Sequence, residues 1–290
     1  MINAGLKIGI LTYTREYSNL GTVMQCYCTL QAIRAAYPGA QVELIDYATR
    51  TAWRRPYLSH ASLRSLRRDA VRFRKYDQFF AKELNFSAHQ LVTRDLSQAC
   101  AFISRQHYDA IYVGSDTVLE LRDADKNGCT AYWLSPDIPG CKFLTAASSH
   151  KLVFEQLSDD QKRSIRRAVE GFCLLGLRDE ATLRLVEHFA GKGDRRIRLV
   201  PDPTFTYPID PRPIEKYLEH RQLPSDRPMV CLHLLRSSVW AATLAQYFRR
   251  AGYLVASLRP AQYADIVFTD LSPFEQIQKM EMIYSHYYRY

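Results

Sequence analysis

The sequence predicts an α/β protein built from two doubly wound, Rossmann-like domains, the second one short. Three observations predict it. Short apolar runs rich in β-branched residues alternate with segments of helical periodicity along the whole chain. The apolar runs end in small or polar residues that lead into helix starts. A stretch from Tyr207 to Pro228 holds five prolines and separates two such alternating sets.

In order, Leu6–Thr12 (LKIGILT) reads as the first strand, followed by a polar loop, Tyr13–Gly21, and a helix over Thr22–Tyr37 that Pro38-Gly39 ends. Gln41–Tyr47 is the next strand, so the opening forms a βαβ unit with parallel strands. A basic helix follows over Ser62–Glu83, then a helix over Leu96–Arg105 and a strand over Ala110–Asp116. Phe143–Ser148 is a strand. Ser158–Glu170 is a helix opened by a capping-box pattern, Ser158-Asp-Asp-Gln161. Phe172–Leu177 and Ile197–Val200 are strands either side of a helix over Asp179–Ala190. Beyond the prolines come a strand from Met229 to Leu235, a helix over Val239–Arg250, strands over Tyr253–Leu258 and Asp265–Phe268, and a helix from Pro273 to Ile283. The domains are therefore 1–206, a linker over 207–228, and 229–290.

Composition bounds the function. The chain has 290 residues, 47% hydrophobic and 24% charged, which excludes disordered and fibrous classes. No run reaches the roughly 18 apolar residues of a membrane span, and Met1–Thr12 lacks the build of a signal peptide, so a soluble cytoplasmic protein is expected. Seven cysteines make no disulfide framework, and Cys26 and Cys28, two apart on a helix, cannot jointly hold a metal; buried, reduced thiols are expected. The formal charge is +9, densest over Arg64–Lys75. Leu63, Leu66, Ala70 and Phe73 fall on one face of that helix, which leaves most arginines on a wet face. That face reads as solvated, or as a surface for anionic lipid headgroups. The aromatic interleaving of RNA-binding sheets is absent, and no nucleic acid is expected.

In an open parallel sheet the ligand lies beyond the carboxyl ends of the strands. Four such ends carry candidate groups. Asn19 and Gly21 open a helix whose free N–H groups suit a phosphate or carboxylate; Asn19 reads equally as a plain N-cap. Ser115 and Asp116 either form a capped turn or bind a sugar and orient a catalytic group. Ser148 and His150 lie at the third such end, with His150 open to a surface role. Arg178 ends a buried strand, where it needs an anion, either a protein carboxylate or a ligand. No GxGxxG, P-loop, GxSxG or HExxH motif is present.

The residues resemble the polysaccharide pyruvyl transferase family. The opening from Leu6 to Ile33 is similar to that family's first strand, Asn-x-Gly loop and helix, with Asp46-Tyr47 ending the second strand. Arg74–Phe80 resembles its charged-aromatic helix, and Tyr108–Asp116 its most recognisable motif, with Thr117-Val118 where the family usually has Gln and Trp. Leu144–Ser148, Gly176–Glu180 and Val200–Thr204 complete the series in order.

The resemblance implies a glycosyltransferase-B-like pair of Rossmann domains with the active site in the cleft between them. It also implies transfer of pyruvate from phosphoenolpyruvate onto two hydroxyls of a saccharide as a cyclic ketal. Such a donor carries a carboxylate and a phosphate, so Arg178 matches a donor-binding arginine. A general acid protonates the methylene carbon, and no metal or cofactor is required. In the family that acid is the His of an Arg-x-His motif. Here Arg289-Tyr290 ends the sequence, which reads as a second domain truncated before the His. Three readings stay open: an active transferase, a relative that binds without turnover, and a nucleotide-sugar glycosyltransferase. The acceptor is expected to be a lipid-linked saccharide of bacterial surface polysaccharide assembly, met at the inner face of the plasma membrane. A shortened second sheet leaves an edge that a homodimer would cover.

Overall fold

The computed structural model describes residues 5–15, 19–49, 63–122, 124, 128–207, 219, 227–232, 239–258, 261–268 and 271–275, with 63–69 by backbone alone. The chain divides into two compact units: Met1–Pro56 with Phe80–Tyr207, and Tyr57–Phe79 with Pro208–Tyr290. Residues 57–79 thus group with the C-terminal part.

In the first unit β1 (Lys7–Leu11), α1 (Leu20–Ala36) and β2 (Gln41–Ala48) form the opening βαβ. A helix α2 (Leu63–Glu83), shared between the units, leads to β3 (Phe86–Val92). Then follow α3 (Leu96–Ser104), β4 (Ala110–Val113), β5 (Cys141–Ala147), α4 (Asp159–Glu170), β6 (Leu174–Leu177), α5 (Glu180–Ala190) and β7 (Ile197–Leu199). The strands make one parallel seven-stranded sheet in the order β3-β2-β1-β4-β5-β6-β7. The order reverses between β1 and β4. Right-handed crossovers therefore lay α1 on one face and α3, α4 and α5 on the other. Burial runs almost unbroken along β1 and β2, as it must in strands covered on both faces.

Local chemistry explains most boundaries. Asn19 caps α1, Asp95 caps α3, and Ser158 with Gln161 makes the capping box expected at α4. The strand β3 escapes the sequence reading because FSAHQLV is half polar; it lies at the sheet edge, where Ala88, His89 and Gln90 are exposed. In α2 the buried face belongs to Tyr76, Phe79 and Phe80, while Ala70, expected on the apolar face, is exposed.

The second unit is a three-stranded parallel sheet ordered β10-β9-β8, with β8 (Met229–Cys231), α6 (Val239–Arg250), β9 (Leu254–Ser257) and β10 (Ile266–Val267). Val230, Ala241, Ala245 and Val255 form its core. This is the same doubly wound α/β logic on a smaller scale. No helix among the described residues is long and apolar enough to cross a membrane.

Candidate functional site

Residues from the loops after β4, β6 and β7 and from the first turns of α1 converge at the carboxyl edge of the sheet. The end of β4 is unusual in its backbone. Gly114 has φ +116°, and a Cβ there would lie 2.2 Å from the Thr145 carbonyl, so only glycine fits. Asp116 follows at φ 89°, a conformation costly for a residue with a side chain. The loop is held by Ser148 N–H on the Asp116 carbonyl at 2.9 Å and Leu119 N–H on the Ser148 carbonyl at 3.1 Å. Strain at this loop is thus imposed by the ends of two neighbouring strands.

Asp116 is aimed back across the sheet. Its Oδ2 accepts the Thr22 hydroxyl of α1 at 2.6 Å, and its Oδ1 accepts the Thr117 N–H at 2.7 Å. Arg178, one residue past β6, places its guanidinium 3.0 Å from Asp202 Oδ2 and 4.0 Å from Asp116 Oδ1. Asp202, past β7, also accepts the Gln25 amide, the Thr204 N–H at 3.0 Å and the Thr204 hydroxyl at 2.7 Å. Burial pushes the Asp202 carboxyl up, but Thr204, Gln25 and Arg178 together outweigh it and hold the group below the usual carboxylate range. The Arg178 side chain is 23% exposed, so the guanidinium is fixed between two carboxylates yet reachable.

Behind these groups lies a buried hydroxyl layer. Ser115 is fully buried; its hydroxyl lies 3.2 Å from that of Thr29, and its carbonyl accepts the Thr12 hydroxyl at 2.9 Å. Asp179 caps α5 through Thr182 N–H at 2.8 Å, and the Thr182 hydroxyl receives Ser149 N–H at 2.8 Å. Burial raises the Asp179 carboxyl, but bonds from Ser148 and Thr182 and the charge of Arg178 hold it low. Thr14, on the loop after β1, carries a buried hydroxyl with no partner among the described residues.

The structure brings together Asp116, Arg178 and Ser148 and adds Thr22, Gln25, Asp179 and Asp202, which the sequence reading did not place in the site. Gln25 sits one turn after Thr22 on α1, and Asp202 ends a strand as the others do; those two signals were available. Asn19 is the helix cap, accepting Gly21 N–H at 3.1 Å and Thr22 N–H at 3.5 Å, and Gly21 is exposed beside it. His150 is exposed at φ 57°, its N–H on the Ser148 hydroxyl at 3.1 Å. Arg289 lies outside the described residues.

Cys26 and Cys28 are buried, and burial, reinforced by Asp202, pushes the Cys28 thiol up to about 12. Cys141 and Cys173, by contrast, are exposed, against the expectation of uniformly buried thiols, because both lie at the amino-terminal starts of their strands. Among the described residues no group of three His, Cys, Asp or Glu side chains could hold a metal ion.

A doubly wound parallel sheet with a polar, partly charged cluster at its switch point defines an α/β protein of the Rossmann type. The chain belongs to the polysaccharide pyruvyl transferase family, whose model matches residues 19–280. No curated protein matches it significantly.

Among solved structures it is similar to a putative UDP-N-acetylglucosamine 2-epimerase from Listeria monocytogenes, at 10% identity and TM-score 0.47, covering 97% of this chain and 66% of that one. It is also similar to the UDP-GlcNAc 2-epimerase from Methanocaldococcus jannaschii, at 10% identity and TM-score 0.49, covering 97% and 70%. E. coli ADP-heptose lps heptosyltransferase II matches at 14% identity and TM-score 0.35, covering 87% and 64%. The chain spans about two thirds of the length of these structures. The fold assignment stands on this chain's own strand order.

Proposed function

We propose that this chain orients donor and acceptor in a transfer of pyruvate from phosphoenolpyruvate onto two hydroxyls of a surface-polysaccharide saccharide, closing a cyclic ketal and releasing phosphate. The observation that carries the proposal is the Asp116–Arg178–Asp202 cluster at the switch point of a chain in this family.

In this reading Arg178 meets an anionic group of the donor. Asp202 fixes one edge of its guanidinium, so little side-chain entropy remains to be lost on binding. Asp116 accepts the proton, or the hydrogen bond, of an incoming sugar hydroxyl. Its neighbour Thr22 keeps the carboxylate turned into the site. The cluster holds three carboxylates, Asp116, Asp179 and Asp202, around one guanidinium. That balance suits hydroxyls well and a multiply charged donor less well, so further cations complete the donor site. The methylene carbon is protonated by a group outside this cluster. The acceptor is lipid-linked and met at the inner membrane face, and no metal or cofactor takes part.

The test is thermal unfolding of the chain titrated with phosphoenolpyruvate, with UDP-glucose in parallel. A ligand at 100 times its Kd stabilises by about 2.7 kcal/mol, well within detection. A rise with phosphoenolpyruvate that Arg178→Ala abolishes supports the proposal. A rise with the nucleotide sugar alone overturns it in favour of a glycosyltransferase.

A further inference from the structure

Among its described residues the connection from β4 to β5 contains no α-helix. In its place is a single 3₁₀ turn, Ala131–Trp133, which touches both α3 and α4. Between this turn, the start of α3 and one face of α4 lies a cavity of about 470 Å³, within the size range of small-molecule sites.

Its walls are mixed in a definite way. Leu96, Leu134, Pro136 and Ala168 supply apolar surface, and Trp133 forms part of the floor. Thr130 also lines the cavity. It is 5% exposed, and its hydroxyl has no hydrogen-bond partner among the described residues. A buried polar group left without a partner is uncommon and is ordinarily met by water or a ligand. At the mouth, Arg163 and Arg167 stand one turn apart on α4. Their own partners, Asp160 and Asp137, are 75% and 81% exposed, so these are solvated pairs worth little, and an incoming anion displaces them readily. None of the lining residues belongs to the Arg178 cluster.

We infer that this cavity is a second ligand site, taking a small organic anion whose apolar body lies on the Leu96–Leu134–Pro136 wall. Its acidic group meets Arg163 and Arg167. The inference is independent of the proposed pyruvyl transfer.

The probe is 8-anilinonaphthalene-1-sulfonate, an anion on an aromatic body, with uncharged N-phenyl-1-naphthylamine as its control. The sequence has three tryptophans, so Trp53→Phe with Trp240→Phe leaves Trp133, in the cavity wall, as the sole energy-transfer donor. Saturable one-site binding of the sulfonate with transfer from Trp133 is expected. Arg163→Gln/Arg167→Gln, on an exposed helix face, should weaken it at least tenfold while the far-ultraviolet circular dichroism stays unchanged. Ser164→Trp, which fills the mouth, should abolish it. Absence of transfer from Trp133 overturns the inference. So does a sulfonate affinity unchanged in the double Gln variant, or equal binding of the uncharged probe, since the cavity would then be merely apolar.

Discussion

Removing Asp202 tests whether the candidate site is a pre-organised charge cluster. Asp202 accepts four donors: the Thr204 N–H and hydroxyl, the Gln25 amide and the Arg178 guanidinium. Gln25 is 8% exposed, so Asp202→Ala leaves it unsatisfied and strands a half-buried cation whose remaining partner, Asp116, is 4.0 Å away. Breaking a buried pair on one side typically costs about 3–5 kcal/mol; the exposure of Arg178 brings the expectation down to about 2–4. Arg178→Ala should cost less, about 1–2 kcal/mol, because the carboxylate keeps three neutral donors. The double variant should therefore show a coupling of about 1.5–3 kcal/mol, read from urea unfolding followed by circular dichroism. A coupling below about 0.5 kcal/mol would refute the reasoning, showing that the 3.0 Å contact is freely exchanged with water. Reversal of the order of the two single variants would refute it as well, since Asp202→Ala leaves more donors unsatisfied than Arg178→Ala leaves acceptors.

Further outcomes follow from the same geometry. Gly114→Ala should abolish soluble expression or cost more than about 3 kcal/mol, because its Cβ would stand 2.2 Å from a backbone oxygen; near-normal stability would mean the loop after β4 rearranges cheaply. Asp179 and Asp202 are both held below their ordinary value of 3.8, so their contribution is complete above that value and is lost as pH falls below it through the folded-state values. Urea midpoints should thus fall between pH 4 and pH 2, less steeply in Asp202→Asn; identical slopes would count against the assignment. Among the described thiols, Cys141 and Cys173 should react first with a disulfide reagent under native conditions, while Cys26, Cys28 and Cys129 stay protected. Fast reaction at Cys28 would contradict its burial. Thr130→Val removes a hydroxyl without a partner and should be neutral or stabilise by up to about 1 kcal/mol; a clear loss of stability would show that the hydroxyl is bonded.

The parts of the fold that sequence made legible are those where one local rule decides. Apolar runs bounded by Gly, Pro or Asn located β1, β2, β4 and β6 to within a few residues, and the Ser158–Gln161 box located α4. The edge strand β3 was hidden because an edge need bury only one side, and Ala88, His89 and Gln90 give no apolar signal. The site was half legible. Strand ends pointed to Asp116 and Arg178. The roles of Gln25 and Asp202 depend on α1 and the end of β7 converging, 177 residues apart in sequence. Ser115 shows the opposite limit: its place beside Asp116 suggests a ligand contact, yet in the loop after β4 its hydroxyl turns inward to Thr29.

The sharpest separation of roles lies between Asp116 and Arg178. If both merely support the fold, Asp116→Asn and Arg178→Ala weaken the same network and should affect ligands in the same direction. If Arg178 meets the donor, the negative charge of Asp116, 4.0 Å from the guanidinium, competes with the donor for it. At that distance a unit charge is worth about 1–4 kcal/mol, depending on how much water screens it. Asp116 is 14% and Arg178 23% exposed, so water screens the pair only in part and the effect lies above the bulk-water end. Asp116→Asn should then tighten phosphoenolpyruvate binding several-fold, keep Thr22 as a hydrogen-bond partner and remove turnover, because the amide cannot accept the acceptor's proton. Arg178→Ala should weaken donor binding at least tenfold. Calorimetric titration of both variants decides the matter: opposite signs separate a donor-binding cation from an acceptor-facing base, and equal losses reduce the pair to a structural ion bridge.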